Sequence, residues 1–125
     1  METKYLNLKQ VIMLHERQIE QFGGPSGVRD AGLIETALQR PQTGYYADLI
    51  EEAAALWESL TMNHGFVDGN KRIGFACLYA FIGLNGLRIT ASSVDILSFI
   101  VTSLEADAFT KDNLDAWLRG NTARR

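Results

Sequence analysis

Residues 73–84 form an almost unbroken apolar run, and this run constrains the fold more than any other part of the chain. It contains no charged residue and is too long for an ordinary buried strand. A helix that is apolar on every side must be covered by its neighbours. The run therefore predicts a central, buried helix, whose N-terminus should lie at Gly69 or Asn70, where polar residues give way to apolar ones.

The rest of the chain has the apolar spacing of amphipathic helices. Including the central one, six helices are predicted, beginning near residues 8, 30, 48, 69, 92 and 110. The predicted N-terminal caps are Asn7 with Gln10, Asp30, Asp48 with Glu51, Ser92 or Ser93, and Thr110. Strand signals are limited to residues 87–89 and to the segment 45–46. We therefore expect an all-α fold, a compact bundle of about six helices.

Helical spacing also predicts which faces are buried. In the first helix, residues 8–22, the predicted inward residues are Leu8, Ile12, Ile19 and Phe22. In the fifth helix they are Val94, Leu97, Val101 and Leu104. His15 lies on the apolar face of the first helix, so we expect a hydrogen-bonded, largely buried histidine outside any functional site.

Composition limits the class of protein. A chain of 125 residues that is 46% hydrophobic fits one domain spanning residues 1–125. A net charge of -3 argues against a broad surface for nucleic acid or anionic membranes. A leader of basic then apolar residues and a membrane-spanning stretch of about 18 apolar residues are both lacking. The single cysteine, Cys77, lies in the apolar run and predicts an inert thiol, so we expect a soluble, cytoplasmic protein.

A polar cluster immediately precedes the central helix and extends into its first turn. Its members are His64, Phe66, Asp68, Gly69, Asn70, Lys71 and Arg72. The first amide N–H groups of a helix lack intrahelical partners and carry partial positive charge. Lys71 and Arg72 add full charges there, and Gly69 lets a phosphate oxygen approach the backbone. The cluster therefore predicts a phosphate site.

Two side chains of the cluster could perform chemistry beside a phosphate. Asp68 would repel a phosphate unless a divalent cation lay between them, which predicts a magnesium ligand. His64 is an imidazole suited to take a proton from an attacking hydroxyl near neutral pH. Phe66 is expected to point into the core and anchor the loop.

Other loop motifs fit less well. A calcium loop starting at Asp68 would need glycine and glutamate where Ile73 and Tyr79 stand. A P-loop needs four residues between its glycines, whereas Gly65 and Gly69 are separated by three. A plain polar connection between two helices would not need this combination of residues at fixed offsets.

At these residues the chain resembles the Fic/Doc family. The family signature is His, any residue, Phe, any residue, Asp or Glu, Gly or Ala, Asn, Gly or Lys, and Arg, and residues 64–72 meet every position. The broader family commonly has Gly at the place of Lys71 and a second Arg at the place of Phe75. Both departures are those of the Doc branch, the death-on-curing toxins, which the run from residue 22 to residue 30 also resembles.

The resemblance implies a toxin of a toxin-antitoxin pair that uses ATP and Mg²⁺ to phosphorylate a threonine of elongation factor Tu, which arrests translation. It implies His64 as the base, Asp68 as the magnesium ligand, and phosphate binding by Gly69, Asn70, Lys71 and Arg72. It also implies a Phd-like antitoxin whose C-terminal segment folds into a groove on the toxin. No glutamate here is followed by Gly or Asn, as in the inhibitory helix of many Fic proteins.

Two other functions stay open at this point. The same residues could transfer AMP from ATP to a protein hydroxyl, with the nucleotide turned end for end. Alternatively, the chain could be a catalytically silent module that binds a nucleotide or a partner. Residues 41–46, with two tyrosines and a glycine, could be a flap that receives an extended substrate or an ordinary connecting loop.

Overall fold

The computed structural model describes residues 2–125, which fold into an all-α bundle with one small sheet. The helices are α1 (Leu8–Phe22), α2 (Ala31–Gln39), α3 (Leu49–Met62), α4 (Asn70–Leu84), α5 (Ser93–Glu105) and α6 (Lys111–Gly120). A 3-10 helix, Arg40–Thr43, follows α2. The predicted all-α fold with six helices is confirmed. None of the helices in residues 2–125 is both long enough and apolar enough to span a membrane.

Helix α4 lies at the centre of the bundle, as the apolar run predicts. Its buried residues are Ile73, Gly74, Cys77, Leu78, Phe81 and Ile82. It packs so closely against α3 at Gly74 that a side chain there would collide with the hydroxyl of Thr61. Burial raises the pKa of the Cys77 thiol to about 12, as expected of an inert thiol.

A buried tryptophan joins four helices at one end of the core. Trp57 of α3 is fully buried. Its indole contacts four aromatic rings, those of Phe75, Phe99, Phe109 and Trp117. Aromatic pairs of this kind stabilise beyond the area they bury. The cluster therefore attaches α5 and α6 to the central pair of helices.

Side-chain caps begin five of the six α-helices of residues 2–125. These caps are Asn7, Asp30, Asp48, Ser92 and Thr110. The reciprocal capping box of Asn7 and Gln10 is confirmed. At α3, Asp48 accepts from the amide of Glu51, but the Glu51 carboxylate accepts from Ala47 N instead of closing the box.

The predicted inward face of α5 is wrong. Val94, Leu97 and Val101 are 76%, 63% and 42% exposed. The helix instead packs through Phe99, Ile100 and Leu104, so only Leu104 of the predicted set turns inward. Because α5 is apolar on two sides, periodicity alone does not select a face. Phe22, predicted inward at the end of α1, is also exposed.

The strand prediction is right at residues 87–89 and wrong at residues 45–46. Strand β1 (Leu87–Ile89) pairs antiparallel with β2 (Thr122–Arg124), a stretch of the polar C-terminal residues. Residues 45–46 form no strand, and the Tyr45 ring is exposed and packs edge-on against Tyr46. The Tyr46 hydroxyl accepts a hydrogen bond from Arg40 Nε at 2.7 Å.

Candidate active site

All seven residues of the predicted cluster lie between the end of α3 and the first turn of α4. From its place before the polar loop, the sequence predicts that His64 ends the helix preceding the central one. This prediction is wrong, because α3 ends at Met62 and His64 lies beyond it in the loop. The backbone of His64 has φ +53°, the left-handed conformation that non-glycine residues rarely adopt. The chain leaves α3 at this sharp turn, and the His64 side chain is exposed.

The segment between α1 and α2 runs antiparallel to this loop and holds its backbone. Val28 and Phe66 form an isolated antiparallel bridge. Three backbone hydrogen bonds join the segments: Arg29 N and Asp30 N donate to Gly65 O at 2.8 and 2.9 Å, and Val67 N donates to Gly27 O at 3.1 Å. The loop is therefore restrained along most of its length.

Phe66 and Asn70 fix the loop from within. Phe66 is 2% exposed, so its ring points into the core as predicted. The Asn70 side chain accepts from Phe66 N and donates to Phe66 O, both at 3.1 Å. Because one of its two Nδ2 hydrogens is bonded to the loop, the other Nδ2 hydrogen and the backbone N–H of Asn70 remain for a phosphate.

Helix α4 begins without a side-chain cap. Its N-cap is Gly69, with φ +77°. A Cβ at Gly69 would lie 3.4 Å from a guanidinium nitrogen of Arg72 and 3.6 Å from His15 Nε2, so glycine suits both the conformation and the space. The uncapped amides and the side chains of Lys71 and Arg72 can together bind an anion.

The end of α1 lies against this helix start. An Arg72 guanidinium nitrogen donates to Gly23 O at 3.4 Å, and the guanidinium lies 5.7 Å from the centre of the Phe22 ring. A Cβ on Gly24 would stand 2.7 Å from an Asp68 carboxylate oxygen. The run at residues 22–24 therefore forms one wall of the candidate site.

His15 also contacts the cluster, although the sequence prediction left it outside the site. Its side chain is 2% exposed, and Nε2 lies 2.7 Å from Asp68 O. Its ring stacks on Phe66, with centroids 3.9 Å apart and planes 13° apart. His15 and Asp68 are 53 residues apart, and no local pattern in the sequence joins them. The prediction of a buried, hydrogen-bonded histidine is confirmed, and the structure places that histidine directly against the loop.

The Asp68 carboxylate suits a metal ion that takes most of its ligands from water and phosphate oxygens. Asp68 is exposed at the mouth of the site. Residues 2–125 contain no group of three or more His, Cys, Asp or Glu side chains placed to hold a metal. Mg²⁺ commonly binds through one or two carboxylates with water and phosphate oxygens as its other ligands, so one carboxylate beside a phosphate site fits it.

Comparison with known proteins points to one family. Residues 5–82 match the model of the Fic/DOC family. The chain is 35% identical over 127 aligned residues to Toxin Doc of Mycolicibacterium smegmatis (strain ATCC 700084 / mc(2)155), covering 97% of this chain and 95% of that protein. It is 28% identical over 90 residues to Protein kinase doc of Escherichia phage P1, covering 69% of this chain and 71% of that protein.

Proposed function

This chain belongs to the Fic/DOC family, and we propose that it is a Doc-like toxin that transfers phosphate from ATP to a threonine hydroxyl of elongation factor Tu. Residues 1–125 act as one Doc-type domain in the cytoplasm, where blocking this factor arrests translation. One observation carries the proposal: an exposed histidine and a carboxylate flank a helix start that has no side-chain cap and bears two cations.

His64 is the proposed general base. Its imidazole is exposed in the restrained loop, where a substrate hydroxyl can reach it. Imidazole accepts protons near neutral pH, so His64 would deprotonate the threonine hydroxyl as that oxygen attacks the terminal phosphorus of ATP. The bond to ADP breaks as the new ester forms.

The start of α4 is the proposed phosphate site. The amides of Gly69 and Asn70 and the side chains of Lys71 and Arg72 would bind the transferring phosphate. Asp68 would hold Mg²⁺, which supplies positive charge against the phosphate oxygens of ATP. Positioning and electrostatics of this kind provide most of the rate in phosphoryl transfer.

Two residues favour transfer of the terminal phosphate over transfer of AMP. Lys71 adds bulk and charge where AMP-transferring relatives have glycine. Phe75 packs against Trp57 and Tyr79, so it offers no cation where those relatives have a second arginine. AMP transfer and silent binding are the alternatives to phosphorylation. ATP labelled at one chosen phosphate distinguishes the three functions. The terminal phosphate of ATP labels the target in phosphorylation, the first phosphate labels it in AMP transfer, and a silent module transfers neither.

A groove beside the phosphate site is the proposed site for the antitoxin. It has a volume of about 580 Å³ and lies between α1, α4 and α5. Its lining includes Phe22, Lys71, Arg72, Phe75, Leu97 and Val101. Gln18, in the same lining, has a buried Oε1 with no hydrogen-bond partner in residues 2–125. Exposed apolar side chains beside two cations suit an amphipathic helix that also carries an acidic residue. We assign the groove to the C-terminal segment of a Phd-like antitoxin.

Growth measurements test both parts of this proposal. Expression of the wild-type chain should arrest growth, His64→Ala should not, and co-expression of the antitoxin should restore growth. Leu97→Glu places a charge in the groove and should leave the arrest while abolishing the rescue. Val94→Glu is the matched control, because Val94 is more exposed on the same helix and lies outside the groove lining. Harmless expression of folded wild-type protein would overturn the toxin proposal.

A further inference from the structure

We infer that His15 is a positioning residue, which holds the Asp68–Gly69 peptide in the one orientation that serves the phosphate site. This inference rests on the proposed function, because that function assigns Asp68 and Gly69 their roles. Nothing in the proposed transfer uses His15 itself. The residue lies behind the loop and contacts the site through the backbone of Asp68 and the ring of Phe66.

Two contacts fix the imidazole of His15. A carbonyl oxygen can only accept a hydrogen bond, so His15 Nε2 carries the hydrogen and donates it to Asp68 O at 2.7 Å. Stacking on Phe66 sets the plane of the ring. Since the side chain is almost completely buried, water does not compete for the hydrogen bond. The donor is thus held in one place relative to the loop.

Fixing this carbonyl also fixes the next amide. The peptides of residues 2–125 are all trans, and in a planar trans peptide the C=O and N–H bonds point in opposite directions. With Asp68 O directed at His15, the N–H of Gly69 points to the opposite side of the loop. It can then act with the free amides at the start of α4.

Glycine makes this constraint necessary. Gly69 has φ +77° and no Cβ, so its backbone can adopt either sign of φ at little steric cost. No side chain caps α4 and selects one orientation. The hydrogen bond from His15 therefore selects one orientation of the Asp68–Gly69 peptide, which glycine alone does not. The same bond holds the backbone of Asp68, the proposed magnesium ligand.

A pair of substitutions separates positioning from packing. His15→Gln retains an N–H donor at about the reach of Nε2 but loses the aromatic ring. His15→Phe retains a ring to stack on Phe66 but loses the donor. If His15 served only to fill the core, the Phe variant would resemble the wild type and the Gln variant would be the impaired one. A positioning role predicts the reverse order.

The experiment measures binding of Mg²⁺–ATP, the kcat and KM of phosphate transfer, and the amide NMR resonance of Gly69 in the free protein. His15→Phe should bind ATP about tenfold more weakly and transfer phosphate at least about tenfold more slowly, while His15→Gln stays within about threefold of wild type. The Gly69 resonance should shift and broaden only in the Phe variant, since its peptide then samples two orientations.

The outcomes distinguish failure of the inference from failure of the proposed function. Wild-type ATP binding and an unchanged Gly69 resonance in His15→Phe would overturn the positioning role, whatever the activity. An equal loss of ATP binding and phosphate transfer in the two variants would also overturn it, because the donor retained in His15→Gln would then have no effect. A wild-type chain that labels no target would count against the proposed function, while the Gly69 resonance would still decide the role of His15.

Discussion

The Nε of Arg29 donates a hydrogen bond of 2.6 Å to the carbonyl oxygen of His64. The same guanidinium also reaches Asn63 O at 3.4 Å. His64 adopts a left-handed backbone conformation that costs roughly 1–2 kcal/mol for a residue with a side chain. The two bonds from Arg29 stabilise this turn and so determine the direction in which the proposed base leaves the backbone.

Replacing Arg29 should therefore slow phosphate transfer without unfolding the protein. Arg29→Ala removes both hydrogen bonds at an exposed position, and we expect kcat at saturating ATP to fall about tenfold. Lysine can replace only part of the planar guanidinium donor group, so the kcat of Arg29→Lys should lie between those of Arg29→Ala and wild type. Arg17→Ala, on the exposed face of α1, is the control. Equal rates for Arg29→Ala and Arg17→Ala would contradict this role.

Gly24→Ala should damage the site more than Gly23→Ala. Both glycines have positive φ, so alanine at either position introduces backbone strain of about 1–3 kcal/mol. Only at Gly24 would the new methyl group also meet the Asp68 carboxylate, at 2.7 Å, whereas nothing lies within 4 Å of a Cβ at Gly23. We expect the affinity for Mg²⁺–ATP, measured by calorimetry, to fall in Gly24→Ala alone. A similar loss in both variants would show that strain, and not displacement of Asp68, is responsible.

Replacement by alanine should affect the stability of the protein differently at two glycines of α4. Gly74→Ala would force α3 and α4 apart at Thr61, so the free energy of unfolding should fall by about 1–3 kcal/mol. At Gly83 the nearest obstacle is the end of the flexible Arg125 side chain, at 3.3 Å. Gly83→Ala should then be neutral or stabilise by up to about 1 kcal/mol, through helix propensity. Urea unfolding of the two variants measures the difference, and a stabilised Gly74→Ala would contradict the close packing of these helices.

Asp48 should contribute stability that depends on pH. The amide of Glu51 and the guanidinium of Arg119 donate to its carboxylate, and these bonds hold the pKa of Asp48 below the ordinary aspartate value of about 3.9. A lowered pKa in the folded state means that the stabilisation is complete above the ordinary value and is lost as pH falls through the lowered one.

The variant Asp48→Asn keeps the cap but removes the charge. We expect it to unfold at lower urea concentration than wild type at pH 7, with the difference shrinking as pH falls below about 4. Glu35→Gln, an exposed carboxylate on α2 that makes no ion pair in residues 2–125, is the control. A difference that stays constant with pH would rule out the ionised carboxylate as its source.

The features that could be predicted from the sequence are those specified by neighbouring residues. The start of α4 follows from an apolar run after Gly69, and the cap of α1 follows from Asn7 and Gln10, three residues apart. The burial of Phe66 follows from its large apolar side chain in a short polar loop. Each of these depends on a pattern that spans a few residues of the chain.

The features that escaped prediction depend on contacts between distant elements. Two faces of α5 are apolar, and only the packing of Phe99 on Trp57 and Trp117 determines which one turns inward. The strand β2 forms by pairing with β1, since the sequence of Thr122–Arg124 has no strand signal of its own. His15 joins the site because α1 passes behind the loop, and Arg29 does so because the α1–α2 segment pairs with it.

The most direct test of the account is the intact mass of elongation factor Tu after incubation with the purified chain, ATP and Mg²⁺. We predict the addition of one phosphate by the wild-type protein and no change with His64→Ala, whose folding is checked by its urea unfolding curve. An added AMP would contradict the proposed direction of transfer and the roles given to Lys71 and Phe75. An unchanged mass with active, ATP-binding wild-type protein would contradict the proposed target, and phosphorylation by His64→Ala would contradict the proposed base.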